Sequence, residues 1–379
     1  MSWDITGMAA VASIGTTPEE IFDALCLRRS GIGPLRAFDA AKYRTRHAYE
    51  IDDRGDGGDR PFRATRWLHT VVEAALADAG MAADTARYPV MVGTTLREHR
   101  SAELWWREAA VTAEPLDPDR LDFAAALRDI PQVGEVHTIA CACAASLCAL
   151  GMAADSIELG LADTVIVAGT DSLSESAFGT IDRVQTRTPD ALRPFDTGRA
   201  GMIMGESAVA VVLRRAGAGG RHARLRGVGM NCDALHATAP DPLRIRDVIA
   251  DAHQRACVDA ADIDLVMLHG SGTQLNDAVE ASVLTDVFGA ITPAPAMTAI
   301  KSMTGHTLGG SGLLSLIVAA VAMRRGTVPP ILGLTDPIAE AATLNLIRDA
   351  APANPVIAQI DAFGFGGINA VAVIEKGTP

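Results

Sequence analysis

Short apolar runs alternate with amphipathic stretches along most of the chain. Pro89-Val-Met-Val-Gly93, Thr164-Val-Ile-Val-Ala-Gly169 and Leu265-Val-Met-Leu-His269 are β-prone with no polar alternation, which predicts strands covered on both faces. Between them, apolar positions recur at helical spacing from Trp67 to Gly80 and from Ala144 to Gly160, and the second run closes on a glycine placed to act as a C-terminal cap. This alternation predicts an α/β architecture with largely parallel, buried strands. The pattern breaks at Arg214 to Gly220, where glycines interrupt any periodicity, so a boundary is expected there, with one half spanning residues 1–215 and the other 216–379. Each half ends near a glycine-bearing strand region, Gly205-Glu206-Ser207 and Gly366-Gly367-Ile368, yet the periodicity is too weak to establish a duplication.

Composition narrows the function. At 379 residues with 49% hydrophobic and 21% charged residues, the chain can bury a large core. Aromatic residues make up 4% and the formal net charge is -13, both unsuited to a nucleic-acid reader, which holds phosphates through clustered Lys and Arg. A local basic patch for an acidic partner could lie at Arg60, Arg63 and Arg66, whose spacing is equally that of a solvated helix face. The longest apolar stretch, Gly312 to Met323, is about a dozen residues against the ~20 that a membrane span needs. The start of the chain does not resemble a signal peptide, and a cytoplasmic protein is expected. Six scattered cysteines in so long a chain predict reduced thiols.

Four segments carry candidate chemistry. In His137-Thr-Ile-Ala-Cys-Ala-Cys-Ala-Ala-Ser146 a β-prone run meets an alanine-rich helix, and a cysteine at that junction faces the positive end of the helix dipole, which predicts a lowered thiol pKa. Cys143 is placed for this role; Cys141 lies on the strand side, and a metal site would need a second ligand pair that does not accompany them. His269 leaves an apolar strand into Gly-Ser271-Gly-Thr273, followed by Asn276, Asp277 and Glu280, a position over the crevice where α/β sheets bind ligands. Lys301-Ser-Met-Thr-Gly-His306 opens a small-residue loop ahead of the apolar helix to Met323. Phe363-Gly-Phe365-Gly-Gly-Ile-Asn369 is a glycine-dense turn whose N–H groups can form an oxyanion hole, or simply a tight hairpin. One cysteine with two histidines fits thioester chemistry better than proteolysis, which needs one histidine.

Taken together, these motifs resemble the β-ketoacyl-[acyl carrier protein] synthases of the thiolase-like fold, the elongating Cys-His-His branch. The resemblance also covers Ile5-Thr-Gly-Met, Arg193-Pro-Phe-Asp196 with Gly205-Glu206, and Asp233-Ala-Leu-His236-Ala-Thr238, and so spans nearly the whole chain. It implies a duplicated five-layer α/β/α/β/α fold, usually dimeric, as a homodimer or with a related ketosynthase-like subunit. It implies an acyl carrier protein as partner, with substrates on its phosphopantetheine arm and no metal or redox cofactor. Cys143 would take the acyl chain, its oxyanion held by the N–H groups of Cys143 and Phe365; His269 and His306 would promote decarboxylation of a malonyl thioester; Lys301 would support them. Phe365 matches a gating ring with Phe363 beside it, and Ser271, Thr273 and Thr238 match the pantetheine path. Asp233, His236, Glu280 and Asn369 would support the site.

The chain departs from that pattern in three places. The stretch from Val92 to His137 is short, with Asp122 to Pro131 replacing much of a helix; Ser315 stands where the family often has Glu; and Ala200-Gly-Met202 replaces Asp-Gly-Phe. These departures suggest polyketide or secondary metabolism. A thiolase would need a late cysteine, and none follows Cys257. An acyltransferase with another acceptor, or a pocket-shaping partner subunit, remain as alternatives; the latter typically lacks the nucleophile that Cys143 supplies.

Overall fold

The computed structural model describes residues 2–55, 59–112, 117–217, 219 and 222–378. Ten strands form its sheet: β1 (Trp3–Ala12), β2 (Tyr88–Thr94), β3 (Val133–Ala140), β4 (Thr164–Asp171), β5 (Ser207–Arg215), β6 (Ala223–Cys232), β7 (Leu265–Met267), β8 (Ala296–Thr298), β9 (Ile357–Phe363) and β10 (Ile368–Lys376). Read outward from the middle, one side runs β1-β5-β4-β2-β3 and the other β6-β10-β9-β7-β8. The second order is the first shifted by five strands.

The pairing repeats as well. In both halves the two inner pairs, β1 with β5 and β5 with β4, β6 with β10 and β10 with β9, are antiparallel, and the two outer pairs are parallel. The duplication that periodicity could not establish is therefore plain in the topology. The expectation of a largely parallel sheet needs correction for the same reason: in each half the fifth strand returns antiparallel between the first and the fourth. Among the described residues the sheet passes from one half to the other through Trp3, Asp4 and Ile5 of β1, paired with Leu225, Arg224 and Ala223 of β6. The expected boundary at Arg214 to Gly220 begins inside β5, which includes Arg214 and Arg215, and runs into the connection to β6; its Ala218 and Gly220 lie outside the described residues.

Helices complete five layers. The helix Arg63–Asp78 (α1) covers the outer face of the first half, and Pro242–Ala256 (α3) with Gln274–Phe288 (α4) covers that of the second. Between the halves lie Ala145–Glu158 (α2) and Ser311–Arg325 (α5), each packed against strands of both. Helix α2 ends, as predicted, just before Gly160 at φ +73°, a left-handed conformation that glycine takes without a Cβ penalty. The apolar Gly312–Met323 stretch becomes α5, the centre of the molecule: the window Leu308–Arg325 is apolar enough to cross a membrane but is 89% buried inside the protein. Each fully buried Leu, Ile or Val along α5 contributes about 1.5–3 kcal/mol relative to exposure.

One expectation is reversed. Helix α1 begins a turn earlier than its apolar pattern, at Arg63, and Arg63 points inward instead of joining Arg60 and Arg66 on a basic face. Its guanidinium binds both carboxylate oxygens of Glu206 at 2.7 and 2.9 Å and stacks over the Trp67 ring at 4.4 Å. A buried carboxylate 143 positions away outweighs the local pattern.

Candidate active site

The predicted chemistry converges at the carboxyl ends of the strands. Cys143 follows β3, His269 follows β7, His306 follows β8 and Phe365 follows β9. Cys143 and His306 occupy equivalent places in the two halves, each between a third strand and one of the central helices. Each of these connections also holds a non-glycine residue with positive φ, Ala142 at +46° and Leu308 at +52°. Such backbone costs on the order of 1–3 kcal/mol and persists where the surroundings over-determine it.

A narrow cavity of about 30 Å³ is lined by Cys143, Met202, Thr238, His269, Ser271, Thr273, His306, Phe363 and Phe365 among others. It opens past Phe365, a 37% exposed ring, into a groove of about 170 Å³ that shares Met202, Thr238 and Thr273 with it. A wider cleft of about 670 Å³, between Trp105, Trp106 and Glu175, includes none of the predicted site residues.

Cys143 sits in a 3-10 turn, Ala142–Ala144, that leads into α2. Gly364 approaches so closely that a Cβ there would lie 3.2 Å from the Cys143 nitrogen. The turn thereby aims the backbone N–H groups of Phe365 and Cys143 at the sulfur. The sequence argument for a lowered thiol pKa does not hold in the resting protein: burial pushes Cys143 up to about 11, against the opposing pull of Lys301 and those two N–H groups. The dipole was legible locally, whereas the desolvation comes from the other half folding over it.

The two imidazoles lie edge to face, ring centroids 5.3 Å apart. Burial, then the Lys301 charge, holds both well below the ordinary histidine range, and each is the neutral ring at physiological pH. His306 Nδ1 accepts the Leu308 N–H at 3.1 Å, so its proton resides on Nε2. His269 is gripped through its backbone: its N–H donates to Glu280 Oε1 at 2.6 Å, and its carbonyl accepts from Lys301 Nζ. Lys301 therefore stands behind His269 and does not line the cavity.

Asp233, His236 and Asn369 are not in the cavity either; they hold the loops around it. Asp233 accepts from Leu235 and Asp241 N–H and packs on Gly367, His236 Nδ1 accepts from Thr238 and Ala239 N–H, and Asn369 donates to Asn231 and the Gly367 carbonyl. Asp171, absent from the sequence reading, is buried at the end of β4 and accepts from Thr94, Thr95, Leu96 and Gly309, tying the loop after His306 to the first half. A lone carboxylate just past an apolar strand was the signal that could have found it.

His306 is also fixed from below. Gly305, at φ +70°, leaves no room for a side chain: a Cβ would come within 2.5 Å of the Tyr49 ring. Gly305→Ala is expected to cost about 3 kcal/mol, visible as a lower unfolding midpoint, with activity lost as the His306 loop shifts.

Comparison with known proteins adds the following. Residues 4–218 match the β-ketoacyl synthase N-terminal domain and residues 222–335 the β-ketoacyl synthase C-terminal domain. The chain is similar to a putative polyketide β-ketoacyl synthase 1 of Streptomyces cyaneus, 30% identical over 98% of this chain and 97% of that protein. It is 27% identical to a 3-oxoacyl-[acyl-carrier-protein] synthase 2 of Coxiella burnetii, over 98% of each. Among solved structures it resembles the ishigamide ketosynthase/chain length factor, with a TM-score of 0.90, 30% identity and coverage of 100% of this chain and 99% of that one. A β-ketoacyl synthase from Burkholderia phymatum gives a TM-score of 0.88 at 25% identity, with both chains fully covered.

Proposed function

Since the chain belongs to the β-ketoacyl synthase family, we propose that it joins an acyl thioester to malonyl-carrier protein by decarboxylative Claisen condensation, through an acyl-Cys143 intermediate. The observation that carries this reading is the meeting of one sulfur and two buried imidazoles in a single narrow cavity, with two backbone N–H groups aimed at the sulfur.

In the first half-reaction Cys143 attacks the carrier-bound acyl carbonyl, whose oxyanion receives the Cys143 and Phe365 N–H groups. The carrier leaves as a free thiol, carrying the proton that Cys143 gives up. In the second, the malonyl thioester enters the same cavity. The Nε2–H of His306, with the His269 ring beside it, serves the thioester oxygen as negative charge develops there on loss of carbon dioxide. The resulting enolate carbon attacks the carbonyl of acyl-Cys143, the carbon–sulfur bond to Cys143 breaks as its sulfur leaves as thiolate and regains a proton from solvent, and the β-ketoacyl product departs on its carrier. Ser271, Thr273 and Thr238 line the way in and suit a phosphopantetheine arm.

Residues 1–215 would then be the half that carries the nucleophile and 216–379 the half that carries both histidines. A cytoplasmic protein, dimeric with itself or with a related subunit, fits this reading. Its relatives include proteins named as 3-oxoacyl-[acyl-carrier-protein] synthases and as polyketide ketoacyl synthases, and the departures at Met202 and Ser315 favour polyketide synthesis. A pocket-shaping partner subunit is the second reading, prompted by the ishigamide neighbour whose name includes a chain length factor.

Intact-protein mass spectrometry with a panel of acyl-carrier thioesters and malonyl-carrier protein separates the two. An acyl adduct on Cys143, carbon dioxide release and a carrier-bound product two carbons longer are expected. Acylation without extension would move the assignment to another acceptor, and no acylation at all to a partner subunit.

A further inference from the structure

The helix Glu175–Val184 ends against the groove outside Phe365, and the residue that closes it is Gln185. Its backbone is pinned on both sides: the N–H donates to the Ile181 carbonyl at 3.3 Å, and the carbonyl accepts from Arg44 Nη2 at 2.9 Å. Its side chain is not. Oε1 is buried without a hydrogen-bond partner, and among the described residues the amide as a whole has none. The amide lies so close over Gly201 that a Cβ there would collide with Oε1, which places the group at the groove wall beside Met202.

Two other polar side chains of this groove are already engaged. Gln274 Nε2 donates to the Arg199 carbonyl at 2.7 Å, and Thr273 Oγ1 accepts the Asn276 N–H at 3.3 Å and meets Ser271 Oγ at 3.0 Å. Ile181, Met202 and Leu275 make the wall around them apolar. A buried amide oxygen with no donor is costly, and a ligand that brings a donor recovers the loss.

We propose that Gln185 is a specificity-determining residue for the carrier arm, its side-chain amide pairing with the outer amide of phosphopantetheine, the one that joins β-alanine to pantoate. The proposal rests on the thioester reaching Cys143 on such an arm. With the thioester at Cys143, the inner amide is two methylenes from the sulfur and stays in the narrow cavity beside Ser271 and Thr273. The outer amide lies a β-alanine unit further out, past Phe365, where the groove runs by Gln185. There Oε1 accepts the N–H of the arm and Nε2 donates to its carbonyl, after a turn of the terminal torsion that no hydrogen bond within the described protein opposes.

The test measures acylation of Cys143, by intact-protein mass spectrometry, from the pantetheine and N-acetylcysteamine thioesters of one acyl group. Both carry the inner amide, and only pantetheine carries the outer one. In Gln185→Met, similar in length but without an amide, the second-order rate constant with acyl-pantetheine is expected to fall about fivefold, the worth of one net hydrogen bond. The half-saturating concentration should rise while the limiting rate is kept, as for lost ground-state binding. Acylation by acyl-N-acetylcysteamine should be unchanged. An equal fall with both thioesters, or no fall with either, overturns the proposal. A wild type that takes no acyl group from either thioester overturns the acyl-Cys143 reading and the proposal with it, whereas a normally acylated wild type matched by Gln185→Met removes Gln185 alone. If Gln185→Met is recovered unfolded by circular dichroism, Gln185→Leu is judged by the same comparison.

Discussion

Cys143→Ala loses acyl transfer, with turnover at least about 10⁴-fold lower and no acyl adduct on the protein by mass spectrometry. Neither neighbouring thiol can take over. Cys148 lies inside α2, away from the cavity lining, and burial with Cys141 beside it pushes its pKa up to about 12. Cys141 precedes the turn that supplies the Cys143 N–H, and it does not line the cavity. The substitution removes one buried sulfur from the wall of a cavity, so the melting temperature should change little. A surviving adduct that maps to Cys141 or Cys148 would show that the nucleophile has been misassigned.

Glu206→Ala is expected to cost about 3–5 kcal/mol of stability, the largest folding effect foreseen for a single side chain, and to lower the melting temperature by roughly 5 °C. Glu206 is wholly buried and accepts from Arg63, Arg54 and the N–H groups of Ile51 and Leu173. Burial alone would raise its pKa; Arg63 and Arg54 reverse that and hold it below the ordinary carboxylate range. Without the carboxylate, two enclosed guanidinium groups lose a shared partner and are left with Asp59 between them, Asp53 on Arg63 and Glu50 on Arg54. The damage should reach the site as well, because Gly205 N–H donates to the His306 carbonyl and His306 N–H to Ile203, 2.9 Å each. Since the folded pKa is depressed, the stabilisation is present above the unfolded carboxylate value and is lost as pH falls through the folded one. The gap between wild type and variant, measured by thermal shift, should therefore narrow on acidification. A gap that stays constant would mean that packing, not charge, supplies the stability.

What could be read from the residues alone follows from how locally each feature is specified. Cys143, His269, His306 and Phe365 each end a strand in a loop of small residues, and the structure brings all four to one cavity. The cap at Gly160, the helix over Gly312–Met323 and the hairpin at Phe363–Asn369 were equally local. The inward turn of Arg63 was not, since its partner is far away in sequence. Nor was the part played by Asp171, a single carboxylate at the end of an apolar strand whose partner Gly309 comes from the other half. The duplication entered only through the resemblance and not through periodicity, because the halves share strand order without sharing a residue pattern.

The central pair α2 and α5 has a consequence of its own. Both helices pack against strands of both halves, while the sheet itself is continuous across the middle through only three residue pairs. The seam between the halves is thus narrow in the sheet, with further backbone bonds such as those of His306 to Ile203 and Gly205, and strong in shared interior. Parting them would expose α5 along nearly its whole length, leaving each fragment with a wet hydrophobic face and no lining for the cavity. The repeat is one of architecture and not of autonomy: the two halves are obliged to melt together, as a single cooperative unit, and neither is a domain that could be cut free and kept.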